Sequence, residues 1–309
     1  MTVQKKGRKI AIIGASGQVG RPTIKALITQ GVHDITAVQR PESTSKFPSE
    51  VTIKVGDLQD ESFLANAFQG QDVVVMMPPL PHIISIQEPA VRAAARMGVP
   101  YILPAEYGPD PFAHRLVEQN QLLRDKQRIR NLINELGVAS WISITVGPFL
   151  DMNIKSGLWG VDFENRKATI WDGSVGKVSA SGLTCTGQAV AAVLTLPEEA
   201  LSQYKNNAVY APILHFTQQE LFEAAQKVTG TTERDWNIVH QNIHDALEDC
   251  NAKIQQKDET APFVKFFLTH FQDGSGADLR HKINSDEIGK LHELGLHDQS
   301  LEDIIKAST

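Results

Sequence analysis

The chain has 309 residues, of which 41% are hydrophobic and 21% charged, and a formal net charge of −6. That length carries a large core, as one big α/β domain or two unequal ones, and the ordinary composition is that of a soluble globular protein. The acidic balance without a basic cluster excludes a nucleic-acid footprint, no run reaches membrane length, and two distant cysteines, Cys185 and Cys250, exclude a disulfide framework and fit a reducing compartment.

The first strand opens within about ten residues of the start with no apolar leader ahead of it, so a cytoplasmic protein is expected. Residues 10–13, Ile-Ala-Ile-Ile, form a short β-branched run that reads as a buried parallel strand. Gly14, Gly17 and Gly20 follow at GxxGxxG spacing, and an amphipathic run begins at about Gln18. Strand, glycine turn and helix in that order are the context of a dinucleotide fingerprint. Gly14 permits the tight turn, Gly17 lets the backbone approach a pyrophosphate, and Gly20 lets the helix pack closely on the strand. Ala15, Ser16, Gln18 and Val19 complete the turn, and the helix N-terminus offers free N–H groups to phosphate. A glycine-rich turn without a ligand is the plainer alternative.

The helix runs to Gln30 and stops at Gly31. A second strand over 35–38 ends in Gln39-Arg40-Pro41. An acidic residue at this point would hold a ribose 2′-hydroxyl, whereas an arginine accommodates a 2′-phosphate. Arg40, with Lys46 a few residues on, therefore favours NADP(H). The alternative is a solvated arginine in a turn. A third strand, 51–55, ends in Gly56-Asp57-Leu58. Asp57 can accept from an adenine amino group or cap the helix expected over 61–68.

A wholly apolar fourth strand, 73–77, ends at Met77, where Pro78-Pro79 break it over the cofactor crevice. A helix is expected over most of 80–97, a fifth strand over 101–103 closed by Pro104, a long helix over 116–136 and a sixth strand over 140–146. This alternation means a Rossmann-type doubly wound parallel sheet, residues 1–150.

From Gly147 the rhythm changes. A glycine-punctuated stretch (155–182), helices near 186–194, 218–227, 243–254, 263–271 and 285–294, strands near 208–210 and 236–239, and a last helix after Ser300 predict a smaller α+β substrate domain. It spans 151–309 and leans on the carboxyl edge of the sheet.

The chemistry is found partly by elimination. Tyr101, Tyr107, Tyr204 and Tyr210 all lack a lysine four residues on, so the Tyr-x-x-x-Lys dyad of most short-chain dehydrogenases is absent. No GxSxG elbow occurs, and no metal site is expected. What remains is Pro104-Ala105-Glu106-Tyr107-Gly108 and, on the following helix, Lys126-Gln127-Arg128-Ile129-Arg130. A lysine at the crevice mouth, partly desolvated, can have a lowered pKa and give up a proton; an ordinary helix-surface lysine is the alternative.

The fingerprint GASGQVG, Arg40, PAEYG and the KxxxR at Lys126 resemble the NmrA-like, isoflavone-reductase-like branch of atypical short-chain dehydrogenases/reductases. The resemblance extends over the whole chain in length and order and is most specific through Leu150. Two residues depart from its P-S-E-F-G segment: Ala105 stands for serine and Tyr107 for phenylalanine.

The resemblance implies that Lys126 sits near the nicotinamide ribose and assists proton transfer. It also implies that Pro104, Ala105 and the turn Gly147-Pro148-Phe149 pack near the nicotinamide. Substrate contacts would come from residues 77–82, including His82, and from Tyr107, Phe149, Met152, Asn153 and Trp159. Phe149 and Trp159 serve equally well as interdomain core.

The reading that follows is an NADPH-dependent reductase of a hydrophobic, aromatic or alkaloid-like small molecule, acting on a C=C, C=O or C=N bond in secondary metabolism. A non-catalytic NADP(H) redox sensor is the second reading, and a redox-mediated cyclisation enzyme the third. The partner is a small-molecule substrate, not nucleic acid or membrane, and a homodimer stays open.

Overall fold

The computed structural model describes residues 4–308. The chain alternates β1 (Lys9–Ile13), α1 (Gly20–Gln30), β2 (Asp34–Gln39), β3 (Val51–Val55), α2 (Glu61–Phe68), β4 (Val73–Met76), α3 (Gln87–Arg96), β5 (Tyr101–Leu103), β6 (Tyr107–Gly108), α4 (His114–Gln119), α5 (Gln121–Leu136) and β7 (Ser140–Thr145). It continues with α6 (Leu150–Asn153), β8 (Val161–Asp162), β9 (Lys167–Asp172), β10 (Val178–Ala180), α7 (Leu183–Thr195), α8 (Glu198–Leu201), β11 (Asn207–Tyr210) and β12 (Leu214–Phe216). The last elements are α9 (Gln218–Thr229), β13 (Asn237–Asn242), α10 (Ile243–Gln255), α11 (Ala261–His270), α12 (Ser285–Glu293) and α13 (Leu301–Ser308). No helix among the described residues is long and apolar enough to cross a membrane.

The main sheet runs β11-β7-β5-β4-β1-β2-β3, with β6 beside β7, and its pairs are all parallel. β4, Val-Val-Val-Met, is buried along its whole length because helices cover both faces of the sheet centre. β3 lies at the edge, and of its five residues only Val51 is buried. Helices stop where the sequence puts left-handed glycines, Gly31 after α1 and Gly137 after α5.

Two expectations are corrected. The helix expected over 80–97 is a 3-10 turn, Leu80–His82, followed by α3 only from Gln87, because Pro89 has no N–H to give Ser85 O and fits only the first turn of a helix. The helix expected over 116–136 is two helices. At Asn120 the backbone is extended, and its side-chain amide donates to Leu116 O at 2.9 Å and to Thr269 Oγ1 at 3.0 Å.

The chain does not stay away from the main sheet after residue 150. After leaving the sheet the chain comes back. α7 packs across α1, where Gly187 meets Pro22 and Thr23 so closely that a Cβ would lie 2.5 Å from Pro22 C. β11 then pairs with β7 from Asn207 to Tyr210. Residues 183–210 thus complete the Rossmann unit, covering the β7 edge that would otherwise be unpaired.

The remaining C-terminal segments build a second core with a two-stranded sheet, β10-β12, and a three-stranded one, β13-β9-β8. Its centre is aromatic: Trp159 lies 4.4 Å from Phe267 and 5.5 Å from Phe216, centroid to centroid, with Phe271 at its edge.

Candidate active site

A cleft of about 450 Å³ opens at the carboxyl ends of β1, β2, β4 and β5. Its floor is the glycine turn. Gly14 adopts φ 81°, and a Cβ on it would lie 2.1 Å from Met77 O, so the turn crosses β4 at a spacing only glycine allows. Gly20 is pressed against the turn itself, where a Cβ would be 2.2 Å from Gly14 O. Gly17 is exposed and donates its N–H to Gly14 O at 2.9 Å. Arg21 Nε ties the loop from outside by donating to Ser16 O at 2.8 Å. Gly14, Ala15, Ser16, Gly17, Gln18 and Val19 all line the cleft; Gly20 lies behind it.

Arg40 lines the cleft at the end of β2, half-exposed and 3.5 Å from Glu42. It shares an adjoining hollow of about 370 Å³ with Asp57, Leu58 and His82. Asp57 accepts from Gln59 N at 2.8 Å, while the cap of α2 is Asp60, which accepts from Ser62 N. Lys46 stands outside the cleft, in a separate groove with Arg21 and Lys25.

The far wall is apolar: Met77, Pro78, Ala105, Tyr107, Phe149 and Met152. Two loops of this wall are joined by Gln87, which is fully buried. Its Nε2 donates to Ile83 O at 2.6 Å and its Oε1 accepts from Ala105 N at 2.8 Å. Sequence reading passed over this clamp; the one signal was a glutamine facing an otherwise alanine-rich helix side. Tyr107 donates its hydroxyl to Leu103 O at 3.2 Å, and burial raises its pKa well above the ordinary tyrosine value, so it stays protonated.

Lys126 reaches the same wall from α5. It is 7% exposed, and among the described residues its ammonium makes no hydrogen bond. Burial, the largest influence, lowers its pKa below the ordinary lysine value. One turn further on, Arg130 forms a buried ion pair with Glu106 of the β5–β6 turn and donates to Pro111 O at 3.2 Å. The KxxxR spacing therefore divides its labour: Arg130 secures the turn that carries Ala105 and Tyr107, and Lys126 faces the cleft.

Beyond β7, Gly147 (φ 73°) is wedged against β10, where a Cβ would lie 1.8 Å from Ser179 O, and Pro148 is buried. Neither lines the cleft, nor does Pro104. Asn153 donates Nδ2 to Phe149 O at 2.9 Å and so shapes the loop instead of facing the cavity. Trp159 takes the core alternative and does not line the cleft. It is fully buried in the aromatic core of the second unit, among Phe216, Phe267 and Phe271, and is inaccessible to a substrate. His240 and His244 have the HxxxH spacing of two helical metal ligands. His240, however, lies on β13, where its Nδ1 is 2.9 Å from Asp172, and His244 lies on α10.

The sequence profile of the NmrA-like family matches residues 6–263. The chain belongs to the NmrA-like family. Among curated relatives of this family member, oxidoreductase aprR of Aspergillus flavus is 27% identical over 292 residues, covering 92% of this chain and 94% of the relative. Oxidoreductase poxI of Penicillium oxalicum is 29% identical over 252 residues, with 80% and 77% covered. Among solved structures, AtPrR2 with NADP+ and (+)pinoresinol superposes with a TM-score of 0.77 at 23% identity, over 98% of this chain and 99% of the other. An isoflavone reductase superposes with a TM-score of 0.76 at 20% identity, over 98% and 100%. At these identities the structural likeness shows a shared fold.

Proposed function

We propose that this NmrA-like chain is an oxidoreductase, an NADPH-dependent reductase of a hydrophobic, aromatic or alkaloid-like small molecule in secondary metabolism. The observation that carries the reading is Lys126, a buried cation with no hydrogen-bond partner among the described residues, on the wall of an apolar cleft that begins at a dinucleotide-type glycine turn. The named oxidoreductases among its relatives and the NADP+ in the AtPrR2 structure support it.

The residues present fit NADP(H). The open turn from Gly14 to Val19 and the N-terminus of α1 would hold the pyrophosphate, Arg40 the 2′-phosphate, and Asp57 and Leu58 the adenine end. Met77, Pro78, Ala105 and Phe149 would flank the nicotinamide end. When bound, NADPH supplies the hydride that reduces a C=C, C=O or C=N bond. The chain's own part is the proton. Lys126 carries it on Nζ, at the cleft wall, in a desolvated setting where the cost of holding the charge is already high. Tyr107, Phe149 and Met152 exclude water from that end and present a flat apolar surface to an aromatic substrate.

The same lysine weighs against a sensor without turnover. Binding a nucleotide requires no desolvated ammonium, and leaving one unpaired lowers stability.

The test is NADPH consumption against a panel of ketones, enones and imines. Lys126→Ala is expected to lose turnover by about 10²- to 10⁴-fold while binding NADPH within a few-fold of native, because a proton donor acts in the transition state. Lys126→Arg rescues poorly, since a guanidinium keeps its proton. Full turnover in Lys126→Ala removes the lysine's role. NADPH binding without turnover across the panel puts the sensor ahead.

A further inference from the structure

Lys126 lies in a fixed arrangement of charge that its proposed role does not by itself require. Glu106 and Arg130 form an ion pair whose side chains are 3% and 6% exposed. Neither partner is free to move away. Arg130 also donates to Pro111 O and lies over the Trp141 ring, 5.6 Å from its centroid. The backbone carbonyl of Glu106 accepts from Ser143 Oγ at 3.2 Å. Lys126 is one helical turn before Arg130 and so shares its face. Its Nζ comes against β6, the strand that directly follows Glu106: a Cβ on Gly108 would lie 3.6 Å from it.

Other charges and titrating groups nearby are spoken for. Arg128 on the same helix turns to Glu88 of α3 at 2.6 Å, and the Tyr107 hydroxyl on β6 stays protonated.

We propose that the buried Glu106–Arg130 pair is a positioning device that sets the charge state of Lys126, with Glu106 keeping the ammonium charged and Arg130 opposing it.

Burial alone pushes Lys126 toward the neutral amine, which has no proton to give. A carboxylate near a buried ammonium favours the charged form, and a guanidinium disfavours it. Both influences act on Lys126, and that of Glu106 is the larger. Arg130 thus does two things: it holds the carboxylate in place and moderates its field. A lone Glu106 would bind the proton of Lys126 more firmly than a proton donor should, and a lone Arg130 would expel it.

The consequence for turnover rests on the reading of Lys126 as the proton source, so the experiment measures Lys126 without turnover. The full chain, free of cofactor, is labelled with acetic anhydride across a pH series. The acetylated fraction at Lys126 is read by mass spectrometry. Only the free amine reacts, and below the midpoint each unit of downward shift raises the rate about tenfold.

Glu106→Gln is expected to move the midpoint down, raising the labelling rate at a fixed pH below it by about threefold or more. A rate that is unchanged or lower overturns the proposal. Breaking a buried pair can unfold a protein, so melting is followed in parallel. If Glu106→Gln does not fold, the neutral double variant Glu106→Gln/Arg130→Gln decides. Its midpoint should also fall, by less, because the larger of the two opposed influences is Glu106's; an unchanged midpoint there overturns the proposal. In turnover, the alkaline limb of the pH profile should move down together with the labelling midpoint in Glu106→Gln. If labelling shifts and that limb does not, the role of Lys126 as proton source fails while the charge arrangement stands.

Discussion

Replacing Gly14 by alanine tests whether the glycine turn is there for the fold, for the ligand or for both. The added Cβ would sit 2.1 Å from Met77 O and 2.6 Å from Met77 C, both backbone atoms. Relief requires the carbonyl to retreat by about 1 Å, since carbon–oxygen contacts much below van der Waals separation are repulsive. Met77 is not free to retreat. Its N–H donates to Ile13 O at 2.9 Å, and the preceding residues pair Val75 with Ile12 and Met76 with Ile13. Alanine at φ 81° adds about 1–2 kcal/mol of its own. Overpacking against backbone adds about 1–3 kcal/mol, and a weakened ladder bond about 1 kcal/mol. The sum is a loss of about 3–6 kcal/mol, a large part of a typical domain's stability.

Gly17 is the control. It is exposed, its φ is not in the left-handed region, and the nearest atom to its Cβ is Gly14 O at 3.2 Å, so Gly17→Ala should cost less than about 1 kcal/mol. Urea unfolding of the apo protein, followed by tryptophan fluorescence, measures both variants; calorimetry with NADPH measures binding. Both should bind NADPH less tightly, and only Gly14→Ala should weaken the apo fold. A Gly14→Ala protein within about 0.5 kcal/mol of native stability would refute the steric argument.

Arg40→Ala should weaken NADPH binding by about one to two decades, the worth of a charge-assisted contact to phosphate, and leave NADH binding nearly unchanged. Equal affinity of the native protein for the two nucleotides, by calorimetry, would exclude that contact. A pH-dependent loss of stability should come from His270, which is fully buried in the second core, donates Nδ1–H to Phe266 O at 2.6 Å, and leaves Nε2 with no partner among the described residues. Burial lowers its pKa from 6.5 to about 4. The unfolded chain therefore takes up this proton first: the contribution is whole above pH 6.5 and falls away as the pH drops toward 4. The loss is on the order of 3 kcal/mol over that window. His270→Leu should remove that part of the acid sensitivity, and parallel pH profiles for native and variant in urea unfolding would contradict it.

Much of the Rossmann half was legible because its signals are local. A β-branched run, a GxxGxxG turn and an amphipathic helix are contiguous, and each restricts the others. Arg40, Met77 and Ala105 fall together in the cleft because strand ends in a parallel sheet meet at one edge, and α5 brings Lys126 to the same wall. What was not legible depends on partners distant in sequence. An aromatic residue type does not say which core it joins, and Trp159 went to Phe267 and Phe271, not to the cleft. The break at Asn120 is made by a bond to Thr269, 149 residues away. The strand at 207–210 could be read as a strand, but nothing in Asn-Ala-Val-Tyr says that its neighbour is β7. Gln87 and the Glu106–Arg130 pair look like ordinary polar helix and loop residues until the fold buries them.

The return of the chain to the main sheet has a mechanical consequence for the two ends of the cleft. The turn α6 follows Phe149, and its Asp151 accepts from Met152 N and, at 2.8 Å, from Leu183 N at the start of α7. Burial raises the pKa of this carboxyl, so the free N–H groups of α7 must offset part of its desolvation. α7 in turn lies on α1 at the close Gly187 contact, and α1 begins at the glycine turn. One path of packed and hydrogen-bonded elements, α6 to α7 to α1, thus runs from Phe149 and Met152 to the floor of the cleft. Side chains on a loop held at both ends by packed helices have little freedom to adapt, so selectivity for the substrate should depend on what those side chains are more than on how far the loop can move.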